Sequence, residues 1–232
     1  MGHVKTCISG RVAIGYLATC LTFVALTGCS QQLPEDSILG AMIAKSEAGY
    51  VLIEMDEYST SECRYSSQWN GTVQTTCRSV NTLPDGSTAF TEYEEAAPVS
   101  GANDQLCTTG DDTIKLAREA LENGIIVRDG DVLPRHEEDR VVAEFLAAVV
   151  AALRLKPDSQ VCGVYFGLSA DGLRSDLTVN GLAATGMESS GVWLRRQDSY
   201  HWREDAIFPP RNAEEATRYI ESLNSSPDGP AE

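Results

Sequence analysis

Gly167-Leu168-Ser169-Ala170-Asp171 approaches the Gly-x-Ser-x-Gly turn that lifts a nucleophilic serine out of a strand end. Its last position is Asp, where that tight turn wants glycine, and Ala170-Asp171-Gly172 reads more naturally as an ordinary turn. A serine nucleophile also needs a base, and beyond residue 28 the histidines are His136 and His201. His136 opens the run His136-Glu137-Glu138-Asp139, whose residue types suit a metal or acid/base cluster. The spacing does not complete a zinc-binding helix motif, and acids ahead of an apolar run are an ordinary helix start, where they face the positive end of the dipole. Asp129-Gly130-Asp131 could contact calcium, but the following positions do not supply the ligands of an EF-hand loop, so a turn is expected. No phosphate-cradling glycine loop or dinucleotide fingerprint is present. The residues therefore predict no catalytic site, no metal and no cofactor. A hydrolase using Ser169 or His201 stays as the alternative, because folding can join residues that spacing keeps apart.

The strongest chemical signal lies at the other end of the chain. Lys5 and Arg11 give a positive start, Val12 to Ala25 form an apolar run, and Leu26-Thr27-Gly28-Cys29 follows. This arrangement resembles the lipobox signal of bacterial lipoproteins. The resemblance covers about the first thirty residues and leaves the family of the mature domain unassigned. It implies diacylglycerol attached to Cys29, cleavage between Gly28 and Cys29, and acylation of the new amino terminus. The apolar run is shorter than the about 20 residues of a spanning helix, whereas several acyl chains hold a protein stably at a bilayer. The chain then divides into a signal peptide at 1–28, a lipidated N-terminus and tether at 29–37, an extracytoplasmic domain at 38–223 and a flexible tail at 224–232. By the same resemblance, Ser30 after the cysteine directs a Gram-negative lipoprotein to the outer membrane. In another cell type the anchor holds the outer face of the cell membrane.

Removing residues 1–28 takes two basic residues and no acid, so 34 acidic residues face 16 basic ones and the mature charge is −18. Such a surface repels nucleic acid and anionic headgroups, which excludes a nucleic-acid function and makes the lipid on Cys29 the contact with the membrane. Of the seven cysteines, Cys63, Cys77, Cys107 and Cys162 remain for the domain. They contain no Cys-x-x-Cys pair, and an oxidising envelope compartment favours two disulfides over zinc. Asn70-Gly71 is a hairpin signal midway between Cys63 and Cys77. A three-residue loop of Trp69, Asn70 and Gly71 sets Cys63 opposite Cys77, Tyr65 opposite Thr75 and Ser67 opposite Val73. That register permits one bridge. Cys107 and Cys162 pair by elimination, tying a loop to a later strand.

The elements that carry these residues follow from periodicity. Ile38 to Ala48 reads as a helix, and Val51, Ile53 and Met55 alternate with Leu52, Glu54 and Asp56 as a strand with one buried face. The Cys63–Val80 hairpin, the turn Pro84-Asp85-Gly86 and Thr88–Tyr93 complete an antiparallel meander. Glu95 to Asp111 reads as the longest irregular stretch. A helix capped by Asp112 and closed by a left-handed Gly124 carries the stripe Ile114, Ala117 and Leu121. The next helix is expected to be the buried central element, with Val141, Val142, Phe145, Leu146, Val149, Val150 and Leu153 on a wide face, ending before Pro157. Val161–Leu168 reads as an interior strand, and Val192–Trp202 as a hairpin around Gln197-Asp198-Ser199 that groups Trp193, Tyr200 and Trp202. Asn212 with Glu215 starts a last helix through Leu223. The class is α+β, one domain with a mainly antiparallel sheet, a buried central helix and a C-terminal helix.

The functional expectation is a lipid-anchored cell-envelope lipoprotein whose acidic domain is a non-catalytic binding or assembly module for an envelope protein partner. Trp193, Tyr200 and Trp202 are its expected contact surface, because aromatics dominate binding hot spots.

Overall fold

The computed structural model describes residues 37–55, 59–68, 71–100, 105–170, 172–184, 189–204 and 206–224. The expected processing site at Gly28 and Cys29, most of the expected tether, the residues from 225 onward, and Trp69, Asn70 and Asp171 lie outside these residues. After helix α1 (Ile38–Glu47) the chain runs through β1 (Tyr50–Met55), β2 (Ser59–Ser67), β3 (Thr72–Thr82), β4 (Thr88–Ser100) and β5 (Gln105–Thr109). An excursion follows through α2 (Gly110–Asn123), β6 (Ile125–Arg128), β7 (Asp131–Val132) and α3 (Arg135–Leu153). Then come β8 (Gln160–Phe166), β9 (Gly172–Val179), β10 (Leu182–Ala183), β11 (Ser189–Arg195) and α4 (Ala213–Asn224).

Every described strand pairing is antiparallel. The order β3-β2-β1-β11-β9-β8-β5-β4 returns to β3 through the β3–β4 pairing, so eight strands close into a barrel. Closure divides each strand, by its period of two, into an inward and an outward set. The register Leu52↔Cys63↔Cys77↔Tyr93 runs along one inward row.

Both ends of the barrel are covered by helices. Ser37 caps α1 by accepting the Gly40 N–H at 2.9 Å, and Leu39, Met42 and Ile43 pack against Leu52, Tyr65, Val73, Leu173 and Trp193. Leu39 and Met42 are fully buried, which stabilises this plug by about 1.5–3 kcal/mol per side chain. At the far end α2 and α3 pack with Leu83, Ala89, Ile126 and Leu133. Gly124 ends α2 in extended backbone, φ −85°, and not in the left-handed conformation expected for a closing glycine. Close approach is what requires glycine here, since a Cβ would stand 2.3 Å from the Phe90 carbonyl oxygen.

Three further expectations need correction. Helix α3 is not a buried central element: only Val141, Val142 and Leu146 are buried, while Ala143, Ala147, Ala148 and Val150 are exposed. Alanine forms helix without needing burial, so a wide apolar face did not require a core position. The stretch after Glu95 is not irregular, because β4 continues to Ser100 and β5 begins at Gln105. Polar residues are tolerated there because β4 keeps its partner β3. Asp112 is not the cap of α2, a role taken by Thr109, whose hydroxyl accepts the Asp112 N–H at 3.1 Å.

Among the described residues no helix is long and apolar enough to cross a membrane. The outward positions of β4 and β9 carry Glu94, Arg174 and Asp176, unlike the apolar belt of a lipid-embedded barrel.

Candidate functional site

A cavity of about 420 Å³ occupies the barrel between the α1 plug and α2. An eight-stranded barrel is just wide enough to be filled by side chains or to hold one small ligand, and here part of that space is open. The walls come from the inward rows: Glu54 of β1, Ser61, Cys63 and Tyr65 of β2, Thr75, Cys77 and Ser79 of β3, and Tyr93 and Glu95 of β4. Thr108, Tyr165 and Leu177 complete the barrel side, and Leu116, Ala117 and Ala120 of α2 with Phe145 of α3 close the top.

Polar groups converge on an otherwise apolar space. Glu54 accepts the hydroxyls of Ser175 at 2.7 Å and Ser189 at 3.0 Å, both on Oε1, so β9 and β11 fix its rotamer. Glu95 accepts from the Thr108 hydroxyl, while burial and then the charge of Asp112 push its carboxyl above the usual range. The Tyr65 hydroxyl donates to Tyr165, whose ring meets it edge to face with centroids 6.3 Å apart. Burial raises the Tyr65, Tyr93 and Tyr165 phenols, so all three stay neutral.

Hydrophobic alternation would bury Val51, Ile53 and Met55 of β1; Val51 is indeed fully buried, but Met55 is 53% exposed and the inward row carries Leu52 and Glu54. A barrel interior that holds a polar cavity accepts an acid on its inward row. Glu54 and Glu95 were therefore missed as site residues. The available signal was an acid in phase with buried strand neighbours.

The barrel wall is incomplete beside the cavity. Among the described residues β4 pairs with β6 at Thr88–Phe90 and with β5 only at Val99 and Ser100, so Thr91–Pro98 has a strand neighbour there only in β3. Helix α2 lies along this seam. Glu95, Thr108 and Leu116 line both the cavity and an outer groove that also contains Glu94, Asp112, Lys115, Glu119 and Asp158.

The four domain cysteines are bridged as Cys63–Cys77, S–S 1.99 Å, and Cys107–Cys162, S–S 2.14 Å. The Cys63↔Cys77, Tyr65↔Thr75 and Ser67↔Val73 partners match the register of a three-residue loop, and Gly71 has φ 76°. The first bridge lines the cavity. The second joins β5 to β8 on the outer face, so it ties two strands and not a loop to a strand. Among the described residues no group of three His, Cys, Asp or Glu could hold a metal ion.

The aromatic trio does not form one surface. Trp193 is 7% exposed and faces inward opposite Leu52, whereas Trp202, also 7% exposed, packs outside the barrel with its Nε1–H donating to the Glu62 carbonyl at 3.1 Å. The intervening residues form a 3-10 turn at Arg196–Asp198 where a hairpin was expected, which carries Tyr200 and Trp202 away from the strand. The Arg78 guanidinium stacks on Trp202 at 4.1 Å, a cation–π contact that adds to the lost accessibility. Tyr200 alone keeps partial exposure.

Ser169 and His201 are engaged separately. The exposed Ser169 hydroxyl accepts the Gly172 N–H at 3.0 Å and donates to the Gly172 carbonyl in the β8–β9 turn. His201 is fully buried outside the barrel, its ring stacked on Tyr219 at 5.5 Å and Nδ1 bonded to the Tyr219 hydroxyl. Beside it, Glu62 accepts from the Ser199 hydroxyl, the Tyr200 N–H and the His201 N–H, which pins this segment to β2. His136 is exposed in the first turn of α3. A scan against protein-family models matches no family, and a search of the curated proteins gives no match.

Proposed function

We propose that this chain is an exported, lipid-anchored binding protein whose barrel takes one small ligand between α1 and α2, without catalysis. The observation that carries the reading is the cavity of about 420 Å³ with carboxylates and phenols aimed into it. That volume falls within the range of small-molecule sites, and an apolar wall with a few placed polar groups is their usual composition. The two disulfides fit an oxidising, extracytoplasmic compartment. The run Leu26-Thr27-Gly28-Cys29 supports attachment through lipid on Cys29 to the outer membrane in a Gram-negative cell or to the outer face of the cell membrane otherwise. With α1 capped by Ser37, the tether from Cys29 reaches at most about 30 Å, which keeps the plugged end of the barrel near the bilayer. A protein partner in the envelope would read the exterior, where Tyr200 remains accessible.

Native mass spectrometry of protein purified from its own envelope tests the reading. A bound small molecule is expected in the native chain and absent from Ala117→Phe, whose added ring fills the space beneath α2. Equal ligand content in both proteins would overturn the assignment to the cavity. Cys29→Ser is expected to abolish lipid modification and release the protein from membranes, and an unchanged mass would overturn the anchor.

A further inference from the structure

We infer that the barrel ligand is a compact organic cation, an amine or quaternary ammonium with an apolar body, admitted through the seam between β4 and β5. This rests on the cavity being a ligand site. Among the described residues that line it there is no Lys, Arg or His, while two carboxylates, Glu54 and Glu95, face inward. Both act electrostatically on the same phenols, Tyr93 and Tyr165, so they share one space. Half-buried negative charge without a counter-charge is costly, and the described lining residues supply none. A ligand cation supplies it. The upward displacement of Glu95 by burial and Asp112 is the response of a carboxylate lacking such a partner.

The rest of the lining selects the kind of cation. A small hydrated metal ion needs several oxygen ligands in a tight shell, whereas this wall combines two carboxylates with the rings of Tyr65, Tyr93 and Tyr165 and apolar residues of α2. Aromatic faces with a nearby carboxylate are how proteins hold ammonium groups. The route has the same sign. Glu94, Asp112, Glu119 and Asp158 surround the outer groove, Lys115 being its single basic residue among those described, and Glu95 lines groove and cavity together. A cation is drawn along that path and an anion repelled.

Isothermal titration calorimetry on the full chain purified in detergent tests this with three water-soluble probes of one shape, benzyltrimethylammonium, benzyl alcohol and benzoate. The cation is expected to bind at least about tenfold more tightly than the alcohol, with benzoate weakest. Glu54→Gln and Glu95→Gln keep shape and remove charge, and each is expected to weaken the cation about tenfold while leaving the alcohol unchanged. Their thermal transitions should hold or rise, which separates lost recognition from lost folding. Equal binding of cation and alcohol, or cation binding that survives both changes together, overturns the inference while the cavity remains a ligand site. Failure of all three probes to bind overturns both.

Discussion

His201 makes the fold acid-sensitive in a way that can be isolated. Its ring is buried against Tyr219 and Phe208, and burial first, then the Arg78 charge, lower its pKa from 6.5 to about 3. The unfolded chain therefore binds a proton below pH 6.5 that the folded chain refuses. The associated stability is intact above pH 6.5 and is lost as pH falls toward 3. At pH 4.5 the interval of two pH units from the ordinary value corresponds to about 3 kcal/mol. Other groups titrate over the same range. Burial raises Glu62, whose contribution runs the other way, and neutralising surface acids relieves repulsion. The comparison must therefore be between proteins. His201→Phe keeps the stacked ring, abolishes its titration, and at pH 7 loses about 1 kcal/mol with the Tyr219 bond. Urea unfolding at pH 7 and 4.5 should show the native protein losing about 3 kcal/mol more than the variant. Identical pH dependence in the two proteins, or a His201 NMR titration near 6.5, would refute the reasoning.

The disulfides close loops of different length, with separations of 14 and 55 residues. Replacing both cysteines by alanine should destabilise by about 3 kcal/mol for Cys63–Cys77 and about 4 kcal/mol for Cys107–Cys162, read by denaturant titration. Gly124→Ala places a methyl group 2.3 Å from the Phe90 carbonyl oxygen, and a loss of about 2 kcal/mol or more should appear as a lower thermal midpoint. Trp193→Ala and Trp202→Ala should each destabilise by about 3–5 kcal/mol by calorimetry, and unchanged midpoints would return these residues to the role of surface contacts.

The sequence by itself determined what depends on near neighbours. The helix at Ile38, the β1–β4 meander and the Cys63↔Cys77 register are local events, set by period and by the turn at Gly71. Pairing Cys107 with Cys162 followed by elimination once the first bridge was placed. Only the tertiary structure decided that β4 returns to β3 and β11 to β1, because closing a barrel depends on the summed twist and stagger of eight strands. That closure assigned inside and outside. It turned Glu54 inward despite the apolar row beside it, separated Trp193 from Trp202 across the wall, and moved α3 from the expected core to a cover over one end. An alternating strand has two faces by covalent geometry, and which one meets the interior is a property of the closed sheet.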